Sequence, residues 1–123
     1  MSKTTAAPPR LDLTVIGHLL ELGDLESLVM LYANDAEIEF HGPGARLNLG
    51  GPIGLREGLE RIATGDLKHE LRLAAVHYGG GYVVDRCRQP DTGKTVAWGG
   101  LTIRRGQIAR HSHCTGWGAW STR

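Results

Sequence analysis

The sequence predicts an α+β fold: three helices from the N-terminal half packed over one curved, mostly antiparallel sheet, leaving an open-ended cone. Three observations predict it. Apolar residues recur at helical spacing in three stretches before about residue 62. From residue 67 onward the spacing changes to two and stays there. Glycines and other breakers punctuate the chain at the joints between these stretches. Helices that come first and strands that come last segregate to opposite layers.

Residues 11–22 place Leu11, Val15, Leu19 and Leu22 on one face of a first helix. Gly23-Asp24 breaks it, and Asp24 can cap a second helix over residues 25–33. Its apolar face is Leu25, Leu28, Val29 and Tyr32. Residues 36–41 alternate as a strand, with Ile38 and Phe40 on one face and Glu37, Glu39 and His41 on the other. A breaker-rich segment follows, with room for a short strand at residues 45–49. Pro52 can open a third helix carrying Leu55, Leu59 and Ile62.

Four long strands complete the chain. In residues 67–77 the odd positions form the apolar face and include His69 and His77. Gly79-Gly80-Gly81 turns into residues 82–89, where Val83, Asp85 and Cys87 share a face. A hairpin at residues 91–94 leads to residues 95–104, with Ala97, Gly99, Leu101 and Ile103 on one side and Trp98 on the other. Arg105-Gly106 turns the chain into a last strand, residues 107–117. Alternation there puts Ala109, His111, His113 and Thr115 on one face and Ile108, Arg110, Ser112 and Cys114 on the other.

Composition narrows the function classes. The chain has 123 residues, 41% of them hydrophobic and 22% charged, which suits one domain over residues 11–123. Residues 1–10 read as a disordered leader. The net charge of +1 carries no basic run, so nucleic acid is not expected as a partner. No apolar segment reaches membrane-spanning length, so no membrane partner is expected either. Cys87 and Cys114 read as reduced thiols of a cytoplasmic protein, and no cofactor is expected.

Three segments carry a family resemblance. They are G-D-L-E-S-L-V-M-L-Y-A-N-D-A-E-I-E-F, then G-G-P-I-G-L-R-E-G-L, then G-L-T-I-R-R-G-Q-I-A-R-H. Together they resemble the nuclear-transport-factor-2-like (SnoaL-like) superfamily, with its cystatin-like cone. The resemblance spans residues 11–117 and implies a small-molecule pocket inside the cone. The superfamily includes ketosteroid isomerases, polyketide cyclases, limonene-epoxide hydrolases, dehydratases and binding-only domains, so the fold does not assign the activity. The isomerase base would fall at Phe40 and its oxyanion-hole Tyr near Ile16, so both are absent. Of the epoxide-hydrolase set, Asp85 matches an Asp, while Val83, His113, Ile38 and Phe40 replace Arg, Asp, Tyr and Asn. The cyclases carry an acid/base carboxylate about where His113 stands.

What survives is an acid/base pair of Asp85 and His113, with His111 nearby. A carboxylate orients an imidazole and raises its basicity, and imidazole titrates near working pH. Phe40, His41, Tyr32, Val83, Ala97, Trp98 and Leu101 are the expected substrate-binding residues, suited to a flat, apolar polyketide-, terpenoid- or steroid-like molecule. The chemistry is of cyclase, isomerase or epoxide-hydrolase type. Two other classes compete: a non-catalytic ligand-binding or dimerisation module, and a metal site built on His111-x-His113 with His41 or Asp85. No metal is the primary expectation. A homodimer is expected, because Tyr82, Val84 and Trp98 leave the outer face of the sheet apolar.

Overall fold

The computed structural model describes residues 11–115. The leader at residues 1–10 and residues 116–117 of the expected last strand lie outside them. The elements are α1 (Leu13–Leu22), α2 (Leu25–Val29), β1 (Tyr32–Gly42), β2 (Ala45–Gly50), α3 (Gly51–Ile62), β3 (Lys68–His77), β4 (Gly80–Arg88), β5 (Thr95–Arg104) and β6 (Gln107–Thr115). They form a single six-stranded sheet in the order β2-β1-β6-β5-β4-β3. Only β1 and β6 pair in parallel; the other pairings are antiparallel. The three helices cover one face of this curved, unclosed sheet, as the sequence predicts.

The helix ends follow local chemistry. The Asp12 carboxylate accepts from the Thr14 and Val15 amides, and Gly23 closes α1 in the left-handed conformation. Asp24 caps α2 through the Ser27 amide. The buried stripe of α1 is Ile16, Gly17 and Leu20, while Val15 and Leu22 are exposed, so it is rotated by one residue from the expected face. Gly17 explains the rotation: a Cβ there would meet the His69 carbonyl oxygen at 3.2 Å, so the glycine lets α1 lie directly on β3.

Tyr32 departs from the sequence reading. It opens β1 instead of ending α2, which stops at Val29. The Ile108 amide donates to the Leu31 carbonyl, and Tyr32 pairs with Ile108, so the parallel β1–β6 contact takes this residue into the sheet. The register of β6 shifts between Ile108 and Arg110, which turns Ile108 inward with His111 and His113. The core joins Ile16, Leu20, Leu28, Ile38, Leu55, Leu59, Ile62, Val83, Leu101 and Ile108. Beyond Leu71 the helices no longer cover β3, so Leu73 and His77 are exposed on what reads as the apolar face. No helix among the described residues is long and apolar enough to cross a membrane.

Candidate functional site

Period-two alternation on the central strands delivers polar side chains into an otherwise apolar interior. Asp85 and His111 are fully buried; His69 and His113 are nearly so. Asp85, Gly99 and His113 stand in one row across β4, β5 and β6. Asp85 and His113 are therefore two strands apart, a span of about 9.6 Å between backbones. The hydrogen bond of Asp85 goes instead to the adjacent strand: His69 Nδ1–H donates to Asp85 Oδ2 at 2.7 Å. His69, which reads from the sequence as core packing, is thus the imidazole partner of the carboxylate. Arg110 does not compete for Asp85, because it pairs with Glu39 at 3.0 Å and Glu37 at 3.7 Å on the other face.

His113 packs edge-on against Phe40, with ring centroids 5.8 Å apart. His111 Nδ1 lies 2.6 Å from the Tyr32 hydroxyl. Burial lowers His113 to about 4, against an upward pull from the Asp85 charge and a further lowering by His69. Burial lowers His111 to about 3, helped by His113 and His69. Both rings are therefore neutral at neutral pH. Burial, and then the Asp85 charge, push the Tyr32 phenol up, so it stays protonated.

Among the described residues, Asp85 Oδ1, His111 Nε2 and His113 Nδ1 are buried without a hydrogen-bond partner. Such atoms cost about 1–3 kcal/mol each unless something meets them. A Cβ built on Gly99 would lie 3.2 Å from Asp85 Cβ and 3.4 Å from His111 Nε2. Gly99 thus lets Asp85 and His111 close on β5, where even a methyl group would be crowded.

The Cys87 thiol donates to Asp85 Oδ2 at 3.6 Å and lies 3.7 Å from His69 Nδ1. By residue type His69, Asp85 and Cys87 could hold a metal, since their ligand atoms fall within 4.8 Å of one another. Tetrahedral zinc ligands, however, stand about 3.3 Å apart, and the 2.7 Å between His69 and Asp85 is hydrogen-bond spacing. The metal set on His111 and His113 loses His41 as a third ligand, because His41 takes the outer face beside Glu39. Burial, the Asp85 charge and the hydrogen bond to Asp85 all push the Cys87 thiol up, so it is no thiolate nucleophile. Cys87 and Cys114 are both free.

The expected pocket wall divides in two. Tyr32, Val83, Ala97 and Leu101 are buried inside the cone, and Phe40 is half-buried beside His113. Trp98 takes the outer face with His41, because it alternates with the inward Ala97 and Gly99. A cleft of about 320 Å³ opens elsewhere, between α1 and β3, lined by Leu13, Thr14, Gly17, His18, Glu21, His69 and Leu71. The His69 side chain is almost wholly covered there, so the cleft stops short of the buried cluster. Glu21 fixes this wall by accepting from the His69 amide at 3.0 Å.

Solved structures share this architecture. The epoxide hydrolase/cyclase-like enzyme SalBIII, from pyran ring formation in the polyether salinomycin, superposes with a TM-score of 0.61 at 17% identity, over 85% of this chain and 88% of that one. An NTF2-like protein of unknown function from Mesorhizobium loti gives 0.60 at 19%, over 83% and 85%. An NTF2-like protein with a cystatin-like fold from Novosphingobium aromaticivorans gives 0.54 at 20%, over 85% and 77%. No family model matches the chain, and no curated protein matches it. The likeness establishes the NTF2-like fold; activity has to be argued from the side chains.

Proposed function

We propose that this protein is a small-molecule acid/base enzyme of cyclase, isomerase or epoxide-opening type, acting on a largely apolar substrate. One observation carries the reading: Asp85 is fully buried, with one oxygen held by His69 and the other without a hydrogen-bond partner among the described residues. A buried carboxylate oxygen normally has at least one hydrogen-bond partner, and a base must keep a lone pair free for the proton it takes. His69 orients the carboxylate, while the neutral His111 and His113 supply polar contacts without a competing charge. The surrounding Val83, Ala97 and Leu101 keep the reacting centre dry, which strengthens every polar interaction there. The SalBIII likeness is compatible with ring-forming or epoxide-opening chemistry on this fold.

The test is a panel of cyclic ketones, conjugated enones and epoxides offered to the protein and to its Asp85→Asn variant. Turnover by the protein and loss of about a hundredfold or more in the variant is expected, the range of general-base catalysis. Equal turnover by both would overturn the reading. A binding module is the second reading, favoured by the burial of Tyr32, Val83, Ala97 and Leu101 in the core; ligand capture with no turnover of any panel member is its signature. The proposal also takes the protein as a cytoplasmic homodimer that covers Tyr82, Val84 and Trp98.

A further inference from the structure

Among the described residues, the closed fold leaves a substrate no way in to Asp85. The Asp85 side chain is wholly buried and that of His69 is 1% exposed, so the cleft beside α1 ends before the cluster. At Gly99 even a Cβ would crowd Asp85 and His111. Some element must therefore move to admit a ligand, and the elements differ in how they are held.

The strands are joined by ladders of backbone hydrogen bonds. α3 is wedged on β1, with Gly58 set against Ile38, and Arg56 ties it to Glu26 of α2. α1 is held differently. Gly17 lays bare backbone on β3, and Ile16 and Leu20 fill the core beside it. Among the described residues, one hydrogen bond ties α1 to the sheet: the His69 amide donates to Glu21 Oε2 at 3.0 Å. β3 is an edge strand, so no further strand competes for that amide. A cleft of about 320 Å³ already parts the two elements alongside this bond, with Glu21 and His69 in its wall. At its C-terminal end α1 stops at Gly23, whose left-handed backbone, φ 71°, breaks the helix from α2. A side-chain latch, an open seam and a glycine joint at an element's end are the parts of a hinged door.

We infer that α1 is the door to the Asp85 cluster, swinging about Gly23, with the Glu21–His69 bond as its latch. The door serves the site proposed above and rests on that proposal for its purpose, though not for its test. Burial of Ile16 and Leu20 keeps it shut at rest. When the latch parts, α1 lifts from β3 and uncovers the His69 imidazole first, because the cleft runs up to that residue. Next across the sheet lie Asp85, 2.7 Å from His69 Nδ1, and Cys87, whose thiol is 3.6 Å from Asp85 Oδ2. An apolar ligand takes the space that Ile16 and Leu20 vacate, and closure around it shuts water out.

Cys87 is fully buried beside Asp85 and reports on entry without any substrate. In a Cys114→Ser background, which leaves one thiol, labelling of Cys87 by N-ethylmaleimide is expected to outpace global unfolding measured in urea. Amide hydrogen exchange followed by NMR should show His69 and residues 16–22 opening together, ahead of the β4 and β5 amides. Glu21→Ala should speed both about tenfold, the worth of one hydrogen bond to a charged group. Glu21→Gln, which keeps an acceptor, should undo most of that gain. Opening of α1 and labelling of Cys87 only at the global rate overturns the inference. So does early exchange in α1 while Cys87 waits for global unfolding, because the helix then frays without uncovering the cluster. An unchanged labelling rate in Glu21→Ala removes the latch, and the inference with it. An opening door on a protein that turns over no member of the panel leaves this inference standing while the enzyme reading falls. Turnover that depends on Asp85, in a protein whose α1 never opens early, overturns the door alone.

Discussion

Acidification from pH 7 to pH 5 should destabilise this fold through its two buried imidazoles. His113 is held down to about 4 and His111 to about 3, in both cases chiefly by burial. An unfolded chain returns each to about 6.5. The folded values lie below the unfolded ones, so between those limits the unfolded chain binds protons that the fold refuses. The stabilisation is complete above about pH 6.5 and drains away as pH falls toward 4. At pH 5 the loss is about 2 kcal/mol for each ring, or about 4 kcal/mol for the two. That is a large share of the 5–15 kcal/mol typical of a domain. Urea denaturation at pH 7, 6 and 5, followed by tryptophan fluorescence, measures it. Carboxylates titrating at lower pH are separated by a His113→Phe variant, whose ring can pack on Phe40. Its stability should fall by about 2 kcal/mol less than that of the unaltered protein over the same interval. An unchanged slope in the variant, or a protein equally stable at pH 5 and pH 7, would refute the reasoning.

Three further outcomes follow from the same geometry. Gly58→Ala should destabilise by about 1–3 kcal/mol in thermal or urea unfolding, because the added Cβ would meet Ile38 Cδ1 at 2.8 Å where α3 lies on β1. His69→Phe should cost about 3–5 kcal/mol, since it strands the fully buried Asp85 without its hydrogen bond; Asp85→Asn in the same background should recover part of that loss. Zinc added to the purified protein should leave the unfolding temperature unchanged, and elemental analysis should find less than one equivalent of metal, because His69 and Asp85 stand at hydrogen-bond spacing.

The sequence made the faces of the strands legible, and geometry between strands less so. Period two places Val83, Asp85 and Cys87 together on β4, and His111 with His113 on β6, all inward. It also places His69 on the inward face of β3, but which strand lies beside which depends on register. His69 stands directly opposite Cys87, next along from the Leu71–Asp85 pair. Counting back from the Gly79-Gly80 turn misses this register by one residue, because the pairing shifts between Leu73 and Ala75. Tyr32 was hidden by a different cause. Its place in β1 comes from the parallel contact with β6, a pairing nearly eighty residues away in sequence that local spacing does not carry. The face of α1 was missed by one residue because a glycine, not an apolar side chain, decides which side lies on β3.

At the centre of the proposed chemistry is the free oxygen of Asp85, which has to meet a substrate inside the cone. A crystal structure of the protein soaked with 2-naphthol, a stable mimic of an enol, tests this most directly. The naphthol oxygen is expected within about 2.6–3.2 Å of Asp85 Oδ1, with the rings against Val83 and Leu101. Naphthol held only at the outer face of the sheet, or an interior closed to it while it binds elsewhere, would contradict it.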